Sequence, residues 1–107
     1  MEGLDLIITD YHFRKTPWGD KRAKLLEVDI TVKNYSKRTF HFFDVNALSD
    51  YGVSYPQQIG YVNKGVVRPN STKAGKLVFS VDSKKRRYSL VFSSRASGEK
   101  LTQVPIN

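Results

Sequence analysis

The stretch Lys24–Asn34, KLLEVDITVKN, decides the fold. Leu26, Val28, Ile30 and Val32 alternate with Glu27, Asp29, Thr31 and Lys33. A strand shows this period of two when one face enters a core and the other meets water. The pattern predicts a central strand with dry even-numbered residues and solvated polar ones between them. No other alternation in the chain is as long and clean, and the remaining segments read as its partners.

Upstream, Leu4–Asp10 is a first strand, with Leu4, Leu6 and Ile8 alternating with Asp5, Ile7 and Thr9, and with Tyr11, His12 and Phe13 as its extension or exit. Arg14–Ala23, RKTPWGDKRA, reads as a loop. Pro17 suits the second position of a turn and Gly19 can take positive φ just after it, so the flanks form a hairpin with Trp18 near its tip. Downstream, Asn34–Arg38 is a polar turn, and Thr39–Leu48 a third strand in which Leu48 is out of phase. A bulge would return Leu48 to the inner face. The closeness of Phe40, Phe42 and Phe43 also fits burial on both faces. Ser49–Gly52 is a turn, and Val53–Tyr55 a short strand stopped by Pro56.

The stretch Gln57–Lys64 reads ambiguously, with Ile59, Tyr61 and Val62 crossing an end of the core. Gly65, Val66 and Val67 lead to a turn at Pro69-Asn70-Ser71. Lys73–Asp82 is a strand with Leu77, Phe79 and Val81 inward; Tyr88–Ser93 is another with Tyr88, Leu90 and Phe92 inward. Ser94–Gly98 turns the chain into a last strand, Lys100–Ile106. About seven or eight short strands at spacings of roughly 8–12 residues predict an all-β, antiparallel β-sandwich. The 107 residues show no repeat, low-complexity tract or linker, so residues 1–107 are read as one domain.

Composition narrows the function classes. Eighteen Lys and Arg against ten Asp and Glu give a formal charge of +8, which suits an anionic partner or simply a soluble, solvated surface. Without cysteine there is neither a disulfide nor a thiolate metal site. No apolar run reaches the length of a transmembrane helix. The start MEGLDLIITD lacks the basic and apolar regions of a signal peptide.

His12 and His41, the only histidines, have no metal-ligand spacing around them. Asp44 and Asp50 are explained by turn chemistry, and no GxSxG, HExxH or phosphate loop occurs. The sequence therefore assigns no catalytic residue, metal or cofactor, and the chain is expected not to be an enzyme.

Two basic clusters are candidates for binding. Arg14, Lys15, Lys21, Arg22 and Lys24 surround Trp18. There the cations can meet phosphates while the indole stacks on a base, or the whole loop can lie at an anionic lipid surface. In the plainer, favoured reading Trp18 folds back to cap the open end of the sandwich, because a large ring usually finds burial. Lys84, Lys85, Arg86 and Arg87 form a second cluster that resembles a nuclear-import tetrapeptide or a phosphate patch; because it lies between two strands, the favoured reading is a charged loop that blunts aggregation. Strand parity does not decide whether the clusters share one end. Asn34-Tyr35-Ser36 and Asn70-Ser71-Thr72 fit the N-glycosylation pattern at Asn34 and Asn70.

The order of features also carries a resemblance. EVDITVKNYSKRTFHF resembles a strand, Asn, polar turn and aromatic strand; Leu48, Asp50, Gly52 and Tyr55 resemble the hairpin that follows; Pro69, Gly75, Phe79, Leu90 and Phe92 resemble the close. Together these segments, about residues 24–106, resemble an extracytoplasmic immunoglobulin-like domain family of unknown function. That family is found on bacterial and archaeal lipoproteins and secreted proteins and is related in fold to the mycobacterial immunoprotective secreted antigen. The chain departs from it at Asn70, where the family usually has Gly; Asn tolerates the same positive φ. The resemblance implies an immunoglobulin-type sandwich at the envelope and supplies no catalytic residues. The expected function is surface recognition of a protein or an anionic partner. The alternatives are a cytoplasmic nucleic-acid-binding β domain and a proteinase-inhibitor-like immunoglobulin domain presenting a loop.

Overall fold

Alternating apolar residues pair strand against strand along the whole chain. The computed structural model describes residues 3–41, 44–60, 66–93 and 100–107. Its strands are β1 (Leu4–Lys15), β2 (Ala23–Asn34), β3 (Phe40–His41), β4 (Asp44–Ser49), β5 (Ser54–Gly60), β6 (Val66–Val67), β7 (Ser71–Asp82), β8 (Tyr88–Ser93) and β9 (Lys100–Pro105). The expectations for Phe42, Phe43, Tyr61, Val62, Gly65 and the turn at 94–98 lie outside the described residues, as do the side chains of Phe40, His41, Asp44, Ile59 and Leu101. Among the described residues no helix is long and apolar enough to cross a membrane.

The strand order is β1-β2-β7-β5-β4-β8-β9, with β3 and β6 as a separate ribbon, and every pairing is antiparallel. β5 joins the two halves: Ser54–Pro56 pair with β4, and Gln57–Gly60 with β7. One layer is thus β1-β2-β7-β5 and the other β4-β8-β9, the arrangement of strands A-B-E-D and C-F-G in an immunoglobulin sandwich. The chain is an antiparallel β-sandwich.

Leu26, Val28, Ile30 and Val32 are all buried; beside Leu77, Phe79 and Val81 of β7 in the same layer, they share one core with Val45 and Ala47 of β4 and Tyr88, Leu90 and Phe92 of β8 in the other. Each such side chain contributes roughly 1.5–3 kcal/mol by leaving water. β1 keeps its apolar residues on the same face by a register shift between Ile8 and Asp10. The shift moves the inward phase from Leu6 and Ile8 to Phe13, as a bulge does.

Five expectations are corrected. Arg14, Lys15 and Ala23 belong to strands, so the first loop is only 16–22. Thr39–Leu48 is two strands, β3 and β4, in different sheets. The β4–β8 register is unbroken from Asp44↔Ser93 to Ser49↔Tyr88, so no bulge turns Leu48 inward; Ser49 is buried in its place. Pro56 does not stop β5. It sits where the strand changes partner, a position at which its missing N–H breaks no ladder. Glu27, expected in water, is only 4% exposed.

Candidate functional site

Three loops meet at one end of the sandwich because antiparallel neighbours return to the same level: 16–22 between β1 and β2, 50–53 between β4 and β5, and 83–87 between β7 and β8. They are tied together. The Ser83 N–H donates to the Arg22 carbonyl at 3.0 Å, the Asp50 N–H to the Arg87 carbonyl at 2.9 Å, and the Lys24 ammonium to the Lys84 carbonyl at 3.3 Å. The Tyr88 N–H donates to Asn107 Oδ1 at 2.8 Å, which brings the C-terminal residue to the same place. Lys15, Lys21, Arg22 and Lys24 therefore share one end with Lys84, Lys85, Arg86 and Arg87, the point that strand parity left open.

The β1–β2 loop holds itself in shape. Thr16 Oγ1 accepts the Asp20 N–H at 2.9 Å and donates to the Asp20 carbonyl at 3.2 Å. The Gly19 N–H closes the Thr16-Pro17-Trp18-Gly19 turn on the Thr16 carbonyl at 3.1 Å, with Gly19 at φ 76°. Trp18 consequently stands 58% exposed at the tip. The favoured expectation that it caps the sandwich fails, because other rings fill that space. Phe13 lies 6.1 Å from Tyr88, and Tyr55 6.3 Å from it. The Lys24 ammonium sits 4.1 Å over the Phe13 ring, a cation–π contact that closes the edge of the core. On the β4–β5 turn, where Gly52 has φ 81°, the Arg86 guanidinium stacks 3.6 Å from the exposed Tyr51 ring. A cavity of about 570 Å³ opens beneath the first loop, between Phe13, Thr16, Lys21, Lys24 and Ser83.

Arg14 is drawn elsewhere. After the β1 register shift it lies with His12 on the outer face of β1, and both reach Glu27: His12 Nε2 at 2.7 Å, and Arg14 by a direct ion pair. Lys76 Nζ closes on the same carboxylate at 3.3 Å. These side chains, each about half exposed, roof the carboxylate over. Burial alone would raise the Glu27 carboxyl; the Lys76 hydrogen bond and the charges of Arg14, Lys76 and His12 outweigh it and hold the group below its ordinary value. Arg14 is thus paired with a carboxylate, whereas at the loop end Lys24 and Arg86 lie on aromatic rings and Lys15, Lys21, Arg22, Lys84, Lys85 and Arg87 are exposed.

Two further residues escape sequence reasoning. The Tyr88 hydroxyl is buried without a hydrogen-bond partner among the described residues. Burial, with Tyr55, Asp82 and Asp50 adding and Arg86 opposing, pushes it up to about 12. Asn34 is a correction: its side chain is 1% exposed, and Nδ2 donates to the carbonyls of Arg38 at 2.8 Å and Val67 at 2.9 Å. That amide is closed to glycosylation. Asn70 is exposed at φ 56°, the left-handed turn expected of it.

A family described as Domain of unknown function (DUF4352) matches residues 4–102. The chain belongs to this DUF4352 family. Its fold is similar to that of a "putative lipoprotein" of Bacillus subtilis, with a TM-score of 0.76 and 17% identity over 97% of this chain and 36% of that one. This chain thus spans about a third of the Bacillus protein. It is also similar to an uncharacterized β-sandwich protein of Clostridium difficile, with a TM-score of 0.59 and 14% identity over 100% of this chain and 87% of that one. At these identities the likeness shows the sandwich fold. No curated protein matches the chain.

Proposed function

We propose that this DUF4352 domain is a non-enzymatic recognition module of the cell envelope that binds an anionic partner at its basic loop end. The observation that carries the reading is the tie between the two basic clusters, Ser83 N–H to Arg22 carbonyl and Lys24 ammonium to Lys84 carbonyl. It gathers eight cations around three carboxylates, Asp20, Asp50 and Asp82. Clustered cations of this kind focus potential and attract polyanions before contact. The similarity to the Bacillus protein supports the envelope location. The kinship in fold to the mycobacterial secreted antigen is part of the same proposal, supported by the immunoglobulin-like strand order alone.

Retention on immobilised heparin tests the reading. The protein is expected to elute at higher salt than an unrelated protein of equal net charge, and charge reversal at Lys84 and Lys85 is expected to remove most of that difference. Equal elution of the two proteins rejects a specific anionic site. Elution unaffected by the reversal rejects this end as its location.

A further inference from the structure

Resting on that reading, we infer that the anionic partner is the surface of a phospholipid bilayer, met end-on by the tips of the β1–β2 and β4–β5 hairpins. The tips are apolar and stand on the two layers of the sandwich: Pro17 and Trp18 on one, Tyr51 and Val53 on the other. Trp18 is 58%, Tyr51 70% and Val53 48% exposed. The cations stand behind them, Lys15, Lys21 and Arg22 on the shoulders of the first tip and Lys84 to Arg87 between the two. Apolar tip and basic shoulder match the layers of an anionic membrane surface. Indole and phenol settle at headgroup level, aliphatic groups go slightly deeper, and cations reach the phosphates.

Two details favour a bilayer over a soluble polyanion. Val53 and Pro17 offer neither a donor nor a stacking ring, so a sugar or nucleotide polymer gains nothing from them, whereas a bilayer does. Arg86 covers one face of Tyr51, pairing a cation with an interfacial ring instead of leaving that face open to a base. The Asp20 and Asp82 carboxylates accept the Arg22 and Lys84 N–H groups of their own loops, each at 2.9 Å. Two of the three local anions are therefore engaged with backbone. The cavity under the first tip, lined by Phe13 and Ala23, by Lys15, Lys21 and Lys24, and by Asp20, falls within the usual volume range of a small-molecule site and offers a place for one headgroup.

Trp18 is the only tryptophan, so intrinsic emission reports this tip alone. Vesicles of phosphatidylglycerol and phosphatidylcholine in about equal parts are expected to carry the full chain in flotation. They should also shift its emission to the blue and protect it from acrylamide; pure phosphatidylcholine vesicles should do neither. Lys84→Glu/Lys85→Glu is expected to weaken vesicle binding by roughly a hundredfold, and Trp18→Ala by roughly tenfold, both with unchanged circular dichroism. Binding to heparin or single-stranded DNA without binding to these vesicles overturns the lipid inference and leaves the anionic partner standing. Vesicle binding with unchanged Trp18 emission overturns end-on entry. Failure to bind heparin, DNA and vesicles alike rejects the inference and the reading beneath it together.

Discussion

At the end of the sandwich where β2 stops, Asn34 is buried, and its amide bonds to two carbonyls while its Oδ1 accepts from Ser36 N–H and Oγ. At the other end, where β2 starts, the loops bind one another mostly through backbone groups and leave Trp18 and most of their cations in solvent. The ends lie along a molecule 45 Å long and 23 Å across. Polar side chains turned onto their own backbone close a fold. Side chains left free, on loops that backbone bonds already hold, are available to something else.

The largest effect is expected at the closed end. Asn34→Asp keeps the acceptor for Ser36 but sets a carboxylate against the Arg38 and Val67 carbonyls. The buried Val67 carbonyl loses its donor, the Arg38 carbonyl keeps only Ser36 Oγ, and a charge is buried beside them, a cost of about 3 kcal/mol or more. Urea unfolding should show it as a lower midpoint with unchanged slope. Heparin retention of the folded variant should stay as it was. A fall in retention would mean that the two ends are not independent and would break the comparison.

Next comes the Glu27 cluster, midway between the ends. Because the folded carboxyl sits below its ordinary value, its contribution is complete above the unfolded value of about 4.3. It is lost as pH falls through the folded one. Glu27→Gln removes that limb. The wild-type urea midpoint should therefore drop more steeply than the variant's below about pH 4.3. The difference should be about 1 kcal/mol, the range of ion pairs with exposed partners. Parallel curves would make the cluster neutral.

Tyr88 lies on the inner side of the loop end. Its hydroxyl is desolvated with no hydrogen-bond partner among the described residues, so Tyr88→Phe should leave stability unchanged or raise it by up to about 1 kcal/mol. The raised value, about 12, gives the alkaline sign. The folded chain keeps the phenol neutral, so its contribution is full below the ordinary value of about 10 and lost as pH rises towards the folded one. Ultraviolet titration of tyrosinate should show one late-ionising group that the variant lacks. A loss of stability in Tyr88→Phe would reveal a partner for the hydroxyl.

Strand positions were largely legible because burial follows a period of two: Leu26 to Val32, Leu77 to Val81 and Tyr88 to Phe92 are read directly. What alternation does not carry is which strands become neighbours. The Glu27 cluster depends on His12 and Arg14 facing it after a one-residue shift in β1, a tertiary fact with no sequence signal. The break between β3 and β4 turns on a change of sheet, and Pro56 reads as a strand stop although its missing N–H falls at a change of partner. Asn34 looked like a surface turn residue because its carbonyl partners are four and 33 residues away. Both basic clusters were visible as composition, while their meeting at one end required the register Ala23↔Asp82.

The smallest effect is expected at Trp18, where it sharpens the contrast most. Truncating a buried tryptophan typically costs about 3–5 kcal/mol through lost transfer energy and the cavity left behind. Trp18 leaves no such cavity, and its loop is fixed by Thr16 and the Gly19 turn, none of whose bonds involve the ring. Trp18→Ala should therefore unfold within about 0.5 kcal/mol of the wild type, as exposed substitutions do. In the free protein its emission should be red-shifted and readily quenched. A cost of several kcal/mol with blue, protected emission would mean that the ring caps the core after all, and the loop end would become a second closure like that at Asn34.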